Sequence, residues 1–171
     1  MGAFTDNPPT FAVGEKSGVA AKLNTLRDFA RAFTDAFTAY TPTLKDSTNA
    51  TLANWTCTGR YFQAGKLVLV QFDLLAGSSP GVGTGAWRIN LPVSARTGVP
   101  QPWHQAGGFT ATDASPLAFT TGRISIDGAG YFGCWYQSAL VNGSQTALAG
   151  GAPITWAAND RITGSFWYEA A

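Results

Sequence analysis

The chain has 171 residues, of which 45% are hydrophobic and only 12% are charged, and its formal net charge is +1. This length suits one ordinary domain with a short appendage, and the apolar content is sufficient for a large packed core. The near-neutral charge, without a basic stripe or an acidic run, argues against nucleic acid as a partner. The aromatic share of 13%, with 20 glycines and 9 prolines, predicts many short strands joined by tight turns.

Residues 1–16 form an irregular lead, because Pro8-Pro9 and Gly14 disfavour a helix there. The lead lacks a charged segment followed by an apolar one, so we expect no secretory signal. We also expect no membrane insertion, since no stretch is apolar over the roughly 20 residues that a spanning helix needs.

A helix is predicted from Ser17, a suitable N-cap, to about residue 37. Polar residues cover one face, and the apolar positions follow a repeat of about 3.5 residues, which is typical of a coiled-coil seam. The pattern covers fewer than three heptads, so it also suits a helix that packs on its own domain. Of the two, we favour self-association, because the stripe is narrow. The interface residues would be Val19, Leu23, Leu26, Ala30, Phe33 and Phe37.

From Tyr40 onward, strand signals replace the helical period. Val68, Val70, Phe72 and Leu74 alternate with other positions and are predicted to face a core. Hairpins are predicted at residues 63–65 and 127–130, and a last pair, 154–157 with 161–168, is expected to meet across residues 159–160. The other predicted strands are 57–62, 66–75, 86–91, 103–110, 117–121, 123–127 and 131–137.

This order of elements predicts a mainly β fold, with an N-terminal α-helix followed by an antiparallel β-sandwich of jelly-roll type. The expected domains are residues 1–38, with the lead and the helix, and residues 39–171, with the sandwich.

The sequence offers little for catalysis. His104 is the only histidine and has no nucleophile motif near it. Residues 128–133 match GxGxxG, but strand-forming residues follow where a dinucleotide site needs a helix. We therefore expect no enzyme, no metal and no cofactor. Cys57 and Cys134 are expected to be free thiols, with a disulfide between them as the alternative.

Six tryptophans are the one suggestive excess in the composition. An exposed indole can stack on a sugar or anchor a protein interface. Trp135 and Trp167 lie in alternating strands, so we expect them in the core or at a subunit interface. Trp87, Trp103 and the neighbouring His104 are the candidate ligand contacts, because they lie in or beside predicted loops.

Three stretches resemble fibre and minor tail proteins of tailed bacteriophages. PTFAVGEKSGVAAKLNTLRD, residues 9–28, is similar to a segment near the N-terminus of those proteins. Residues 40–74, with Leu91-Pro92 after them, resemble the opening of their β-domain. ITWAANDRITGSFWYEA, residues 154–170, resembles its close.

This resemblance implies a trimeric virion component whose N-terminal segment attaches to the particle and whose jelly-roll-like domain points outward. Phe4, Pro8, Pro9 and Phe11 are then the expected virion anchor. The expected function is a structural virion protein, made in the host cytoplasm: a capsid decoration, a head fibre or a minor tail component, with capsid or tail proteins as partners. The alternative is a carbohydrate-binding module that recognises a host surface glycan.

Overall fold

The computed structural model describes residues 17–32, 37–97, 105–128, 130–138 and 144–171. The side chains of residues 17–20, 29–32, 105 and 106 lie outside this description. The chain divides into two compact units between Ala36 and Phe37.

The first unit contains the helix α1, Ser17–Ala32, which begins where the sequence predicted. Leu23 and Leu26 lie one turn apart on it and are 37% and 63% exposed. The prediction that the helix reaches Phe37 is wrong. Phe37 directly precedes a strand of the second unit, and its ring lies 6.1 Å from that of Phe62 on the neighbouring strand. Packing of one ring on the other favours the extended conformation over another helical turn.

Within the described residues, the second unit is one antiparallel sheet of ten strands, which confirms the predicted mainly β class. The strands lie in the order β1-β3-β4-β10-β6-β7-β8-β5-β2, and β9 pairs with β8 beside β5. Their bounds are β1 Thr38–Tyr40, β2 Leu44–Lys45, β3 Trp55–Ala64, β4 Leu67–Ala76, β5 Arg88–Asn90, β6 Gln105–Ala114, β7 Leu117–Asp127, β8 Tyr131–Gln137, β9 Gln145–Ala147 and β10 Arg161–Glu169.

The sheet curls so that its inner face packs on itself. The rings of Phe72 on β4 and Phe132 on β8 lie 5.1 Å apart although β10, β6 and β7 separate those strands in the sheet. Phe166 on β10 completes the contact, 4.5 Å from Phe132. The predicted alternation on β4 is confirmed, since the core contains its inward set, Val68, Val70, Phe72 and Leu74.

Aromatic rings and glycines alternate in one row across the inner face. The strand register places Tyr40, Gly59, Phe72, Gly164, Phe109, Gly122 and Tyr136 opposite one another on β1, β3, β4, β10, β6, β7 and β8. A Cβ at Gly164 would lie 2.7 Å from the Phe72 ring, and one at Gly122 would lie 2.5 Å from the Phe109 ring. Each ring therefore occupies the space that a neighbouring side chain would need, which lets the sheet bend tightly along this row.

Three tryptophans pack together and bond to the loop before β5 and to the segment after β9. The rings of Trp55, Trp87 and Trp156 lie 5.0 to 5.5 Å from one another. Each indole N–H donates to a backbone carbonyl: Trp55 to Gly81 O and Trp87 to Val82 O at 2.9 Å, and Trp156 to Ala149 O at 2.8 Å. Buried indoles need such partners, so the cluster fixes backbone as well as side chains.

Two buried carboxylates organise turns. Asp46 Oδ1 accepts hydrogen bonds from Thr48 N, Thr48 Oγ1 and Ala50 N, and Oδ2 accepts them from Thr84 N and Oγ1. These bonds, the one from the Thr48 side chain foremost, lower the pKa of Asp46 to about 2. Asp160 accepts from Ala114 N at 2.8 Å and from Ala157 N at 2.7 Å, which ties the β6–β7 hairpin to the turn before β10.

The predicted hairpin at residues 127–130 is confirmed, because Asp127 pairs with Tyr131. The predicted strand at residues 154–157 is wrong. This segment is irregular, because Ala157 N bonds to the Asp160 carboxylate and Trp156 turns into the tryptophan cluster. β10 pairs instead with β4 and β6. The segments 117–121 and 123–127 form one continuous strand, β7.

Candidate functional site

The outer face of the sheet carries a polar row that crosses five strands. Side chains directly opposite one another on paired strands share a face and are neighbours. Arg60 Nε donates a hydrogen bond to Gln71 Oε1 at 2.6 Å. The members of the row on β3, β4, β10, β6 and β7 are Arg60, Gln71, Ser165, Gly108 and Arg123. The row therefore has an arginine at each end and lacks a side chain at Gly108.

An apolar row borders the polar row on one side. Phe62, Leu69 and Trp167 are opposite one another on β3, β4 and β10. The Phe37 ring packs on Phe62, and the Arg60 guanidinium lies 5.1 Å from the Phe37 centroid. Trp167 is 58% exposed and Phe37 is 40% exposed. Two aromatic rings are thus accessible beside the polar row.

Hydroxyl groups border the polar row on the other side. The Asp73 carboxylate in this row is already paired, because Arg161 Nε donates to Asp73 Oδ1 at 2.7 Å and Arg161 Nη2 donates to Asp73 Oδ2. The hydrogen bond and the charge of Asp73 raise the pKa of Arg161. The members of the row are Thr58, Asp73, Thr163, Thr110 and Thr121.

Together the three rows line a groove that runs across the strands. It consists of adjoining depressions of about 430, 430 and 530 Å³, each of which is lined by Gln71. Gly108 has no side chain and Ser165 has a small one, so the centre of the groove is low. We call this surface the cross-strand groove. Its floor consists of Arg60, Gln71, Ser165 and Gly108, and Arg123 lies at its far end. One wall consists of Phe37, Leu69 and Trp167, and the other consists of Thr58, Asp73, Thr163, Thr110 and Thr121.

The groove combines hydrogen-bonding groups with apolar surface. Hydroxyls and the Gln71 amide both donate and accept hydrogen bonds, and the two rings offer flat apolar surface. Among the described residues, no group of three or more His, Cys, Asp or Glu side chains is placed to hold a metal ion. Cys57 and Cys134 are both free thiols, and burial raises the pKa of each.

The predicted oligomer interface is only partly described. Leu23 and Leu26 are exposed on α1, whereas the side chains of Val19 and Ala30 and all of Phe33 lie outside the described residues. Phe37 belongs to the wall of the cross-strand groove and not to the helix. The predicted virion anchor, Phe4, Pro8, Pro9 and Phe11, lies outside the described residues.

The structure corrects the prediction that Trp87 contacts a ligand. Trp87 is 3% exposed and packs in the tryptophan cluster, so a ligand at the surface does not reach its ring. The other candidates, Trp103 and His104, lie outside the described residues.

The sequence predicted Trp167 in the core or at a subunit interface, and the structure rules out the core because the side chain lies on the exposed outer face. The subunit interface stays a prediction. The signal was present in the alternation of β10, since Phe166 and Tyr168 on either side of it are buried. In a strand, two buried neighbours place the residue between them on the opposite face. The sequence around Phe37 shows no such alternation. Its spacing continues the apolar repeat of the predicted helix, so the pattern did not indicate that Phe37 packs on the sheet.

Comparisons with protein-family models, with curated proteins and with solved structures found no match for this chain. Among the described residues, no helix is long and apolar enough to cross a membrane.

Proposed function

We propose that this chain is a non-enzymatic structural protein of a tailed-phage virion, in which α1 joins three copies and the β unit faces outward. The observation that carries this proposal is the exposure of Leu23 and Leu26 on one face of α1, at 37% and 63%. The resemblance of residues 9–28, 40–74 and 154–170 to phage fibre and minor tail proteins supports the same assignment.

The helix has a physical reason to associate. Its 16 residues extend over ~24 Å, a length at which an isolated helix is marginal in water. Burying a leucine side chain contributes roughly 1.5 to 3 kcal/mol, so a seam containing Leu23 and Leu26 from several copies would stabilise helix and assembly together. Val19 and Ala30 continue the same 3.5-residue repeat along α1.

In this proposal the curled sheet is a jelly-roll-like β-sandwich that forms the body of a small surface appendage. The lead, through Phe4, Pro8, Pro9 and Phe11, attaches it to capsid or tail proteins. The chain is made in the host cytoplasm and is then part of the virion, as a capsid decoration, a head fibre or a minor tail component.

The oligomeric state tests the helix. We expect the full chain to sediment as a trimer and the Leu26→Asp variant to sediment as a monomer, because a buried carboxylate would face its copies across the seam. Thr25→Asp is the matched control: it adds the same charge on the polar face of α1, outside the seam, and should leave the trimer intact. Wild-type protein that stays monomeric would refute the seam.

The virion assignment has its own test. Antibodies against the β unit should label purified phage particles in electron micrographs at repeated positions on the head or on the tail. Particles that carry none of this chain would contradict the assignment, whatever its oligomeric state.

A second candidate function is recognition of a host surface carbohydrate. The specific observation in its favour is Trp167, which is 58% exposed beside the polar floor of the cross-strand groove. An exposed indole can stack on the apolar face of a sugar while the hydroxyl groups of the sugar bond to the polar floor.

A further inference from the structure

We infer that the cross-strand groove binds a glycan chain that carries carboxylates, with sugar faces on Trp167 and Phe37 and an acidic group at Arg60. This inference rests on the second proposed function, and it names the site and the ligand class. It does not depend on the trimer.

The backbone around the groove is not available to a peptide strand. β4 pairs with β3 and β10, β10 pairs with β4 and β6, and β6 pairs with β10 and β7. Their N–H and C=O groups are used in these ladders, whereas strand addition needs a free edge. Because the groove also runs across the strands, a ligand in it is recognised through side chains alone.

The side chains favour a ligand with many hydroxyl groups. Four threonine hydroxyls, the Ser165 hydroxyl and the Gln71 amide line the groove, and each can both donate and accept a hydrogen bond. A sugar offers the same mixture along its edge and an apolar face of C–H groups. Trp167 and Phe37 provide rings for that face on one wall only, so a bound chain would have an apolar side and a polar side.

The charges of the groove favour an acidic ligand. Asp73 is the one carboxylate among the described residues that line the groove, and Arg161 already neutralises it. Arg60 lies at one end of the polar row, and its Nε donates to Gln71 Oε1 at 2.6 Å. A guanidinium has further N–H donors beyond Nε and binds a carboxylate through charge-assisted hydrogen bonds. A carboxylate of the ligand can therefore bind at this end of the groove.

Binding of the full chain to immobilised oligosaccharides tests the inference. The panel contains uronic-acid oligomers, sialylated oligosaccharides and neutral glucans. We expect binding to at least one acidic member, weaker binding at higher salt because charge contributes, and at least a roughly tenfold loss of affinity for Trp167→Ala. Arg60→Gln removes the charge and should weaken binding to acidic members more than any binding to neutral members.

Two further variants separate the groove from the rest of the surface. A Cβ at Gly108 would lie 3.4 Å from its nearest neighbour, Gly122 O, so Gly108→Leu should fold and block the low centre of the groove. Phe119→Ala removes a ring that is 64% exposed outside the groove and should leave affinity unchanged. The inference is overturned if no acidic oligosaccharide binds, or if Trp167→Ala and Gly108→Leu both bind as the wild type does.

Sedimentation of the same samples distinguishes a failed site from a failed assembly. If Trp167→Ala changes the oligomeric state, the groove is an interface between copies and the glycan inference is wrong. If binding is absent while the trimer and the labelled particles are present, only the glycan function fails.

Discussion

The inner face of the strands is closely packed, whereas the outer face of the same strands is open to solvent. On the inner face, the Phe72 ring lies against Gly164 and the Phe109 ring lies against Gly122, so no space remains for a larger side chain at either glycine. On the outer face, Gln71 and Ser165 occupy the neighbouring positions and leave an open groove. Because successive residues point to opposite faces, the residues of the core and those of the cross-strand groove alternate along one stretch of sequence. The two faces should therefore respond very differently to substitution.

The largest expected contrast is between two tryptophans. Trp87→Ala should reduce the free energy of unfolding by about 3 to 5 kcal/mol, because it leaves a cavity among Trp55 and Trp156 and removes the donor to Val82 O. Urea denaturation at neutral pH measures this loss.

Trp167→Ala is the matched control, since it removes the same side chain from the outer face. The expected change is below about 1 kcal/mol, because the ring is 58% exposed. Equal losses in the two variants would mean that Trp167 is covered by something in solution, and the comparison between the faces would fail.

The next largest effect concerns the row of rings and glycines. Gly164→Ala should reduce the free energy of unfolding by about 1 to 3 kcal/mol, since its Cβ would lie 2.7 Å from the Phe72 ring and 2.9 Å from Gly108 O. Thermal and urea unfolding of the variant measure the loss.

Gly151→Ala serves as its control, because no atom beyond its two chain neighbours lies within 4 Å of the new Cβ. Adding Phe72→Leu to Gly164→Ala should cost less than the sum of the two single changes, since the ring that clashes is gone. Strict additivity would show that the ring and the glycine are independent.

Sequence patterns predicted the parts of the fold that depend on near neighbours. The alternation from Val68 to Leu74 predicted the inward face of β4, and the turn residues at 127–130 predicted the hairpin that β7 and β8 form. Ser17 predicted the start of α1. These features follow from local period and turn chemistry, so tertiary contacts did not change them.

Features that depend on distant strands were not predictable in the same way. Phe72 meets Gly59 and Gly164 because β4 lies between β3 and β10, and strand order is not encoded in local period. The groove depends on the same order, since Gln71 and Ser165 are far apart in the chain. Trp87 was expected near a ligand because a loop precedes it, but the tryptophan cluster buries it.

The stability that the buried Asp46 turn provides depends on pH. The pKa of Asp46 is lowered from 3.8 to about 2, so its bonds stabilise the fold above pH 3.8 and are lost as the pH falls toward 2. Asp46→Asn should remove this part of the acid sensitivity and lower stability at neutral pH. Urea midpoints of both proteins between neutral pH and pH 2 measure the difference.

Thr48→Val provides the graded variant of this experiment. It removes the side-chain donor that lowers the pKa of Asp46 most and keeps the backbone donors, so its acid sensitivity should lie between those of wild type and Asp46→Asn. Identical pH profiles for wild type and Asp46→Asn would show that the loop is not held by the ionised carboxylate.

The smallest expected effect is that of Phe119→Ser on β7. The Phe119 ring is 64% exposed on the outer face, whereas Phe109 on the neighbouring strand is 4% exposed on the inner face. We expect the free energy of unfolding to change by no more than about 0.5 kcal/mol, because few contacts are lost. The remaining cost is the lower β-strand propensity of serine compared with phenylalanine. Urea unfolding at two protein concentrations is the measurement. A loss above about 1.5 kcal/mol that grows with concentration would mean that another copy covers this ring, and this part of the outer face would then be an interface between copies.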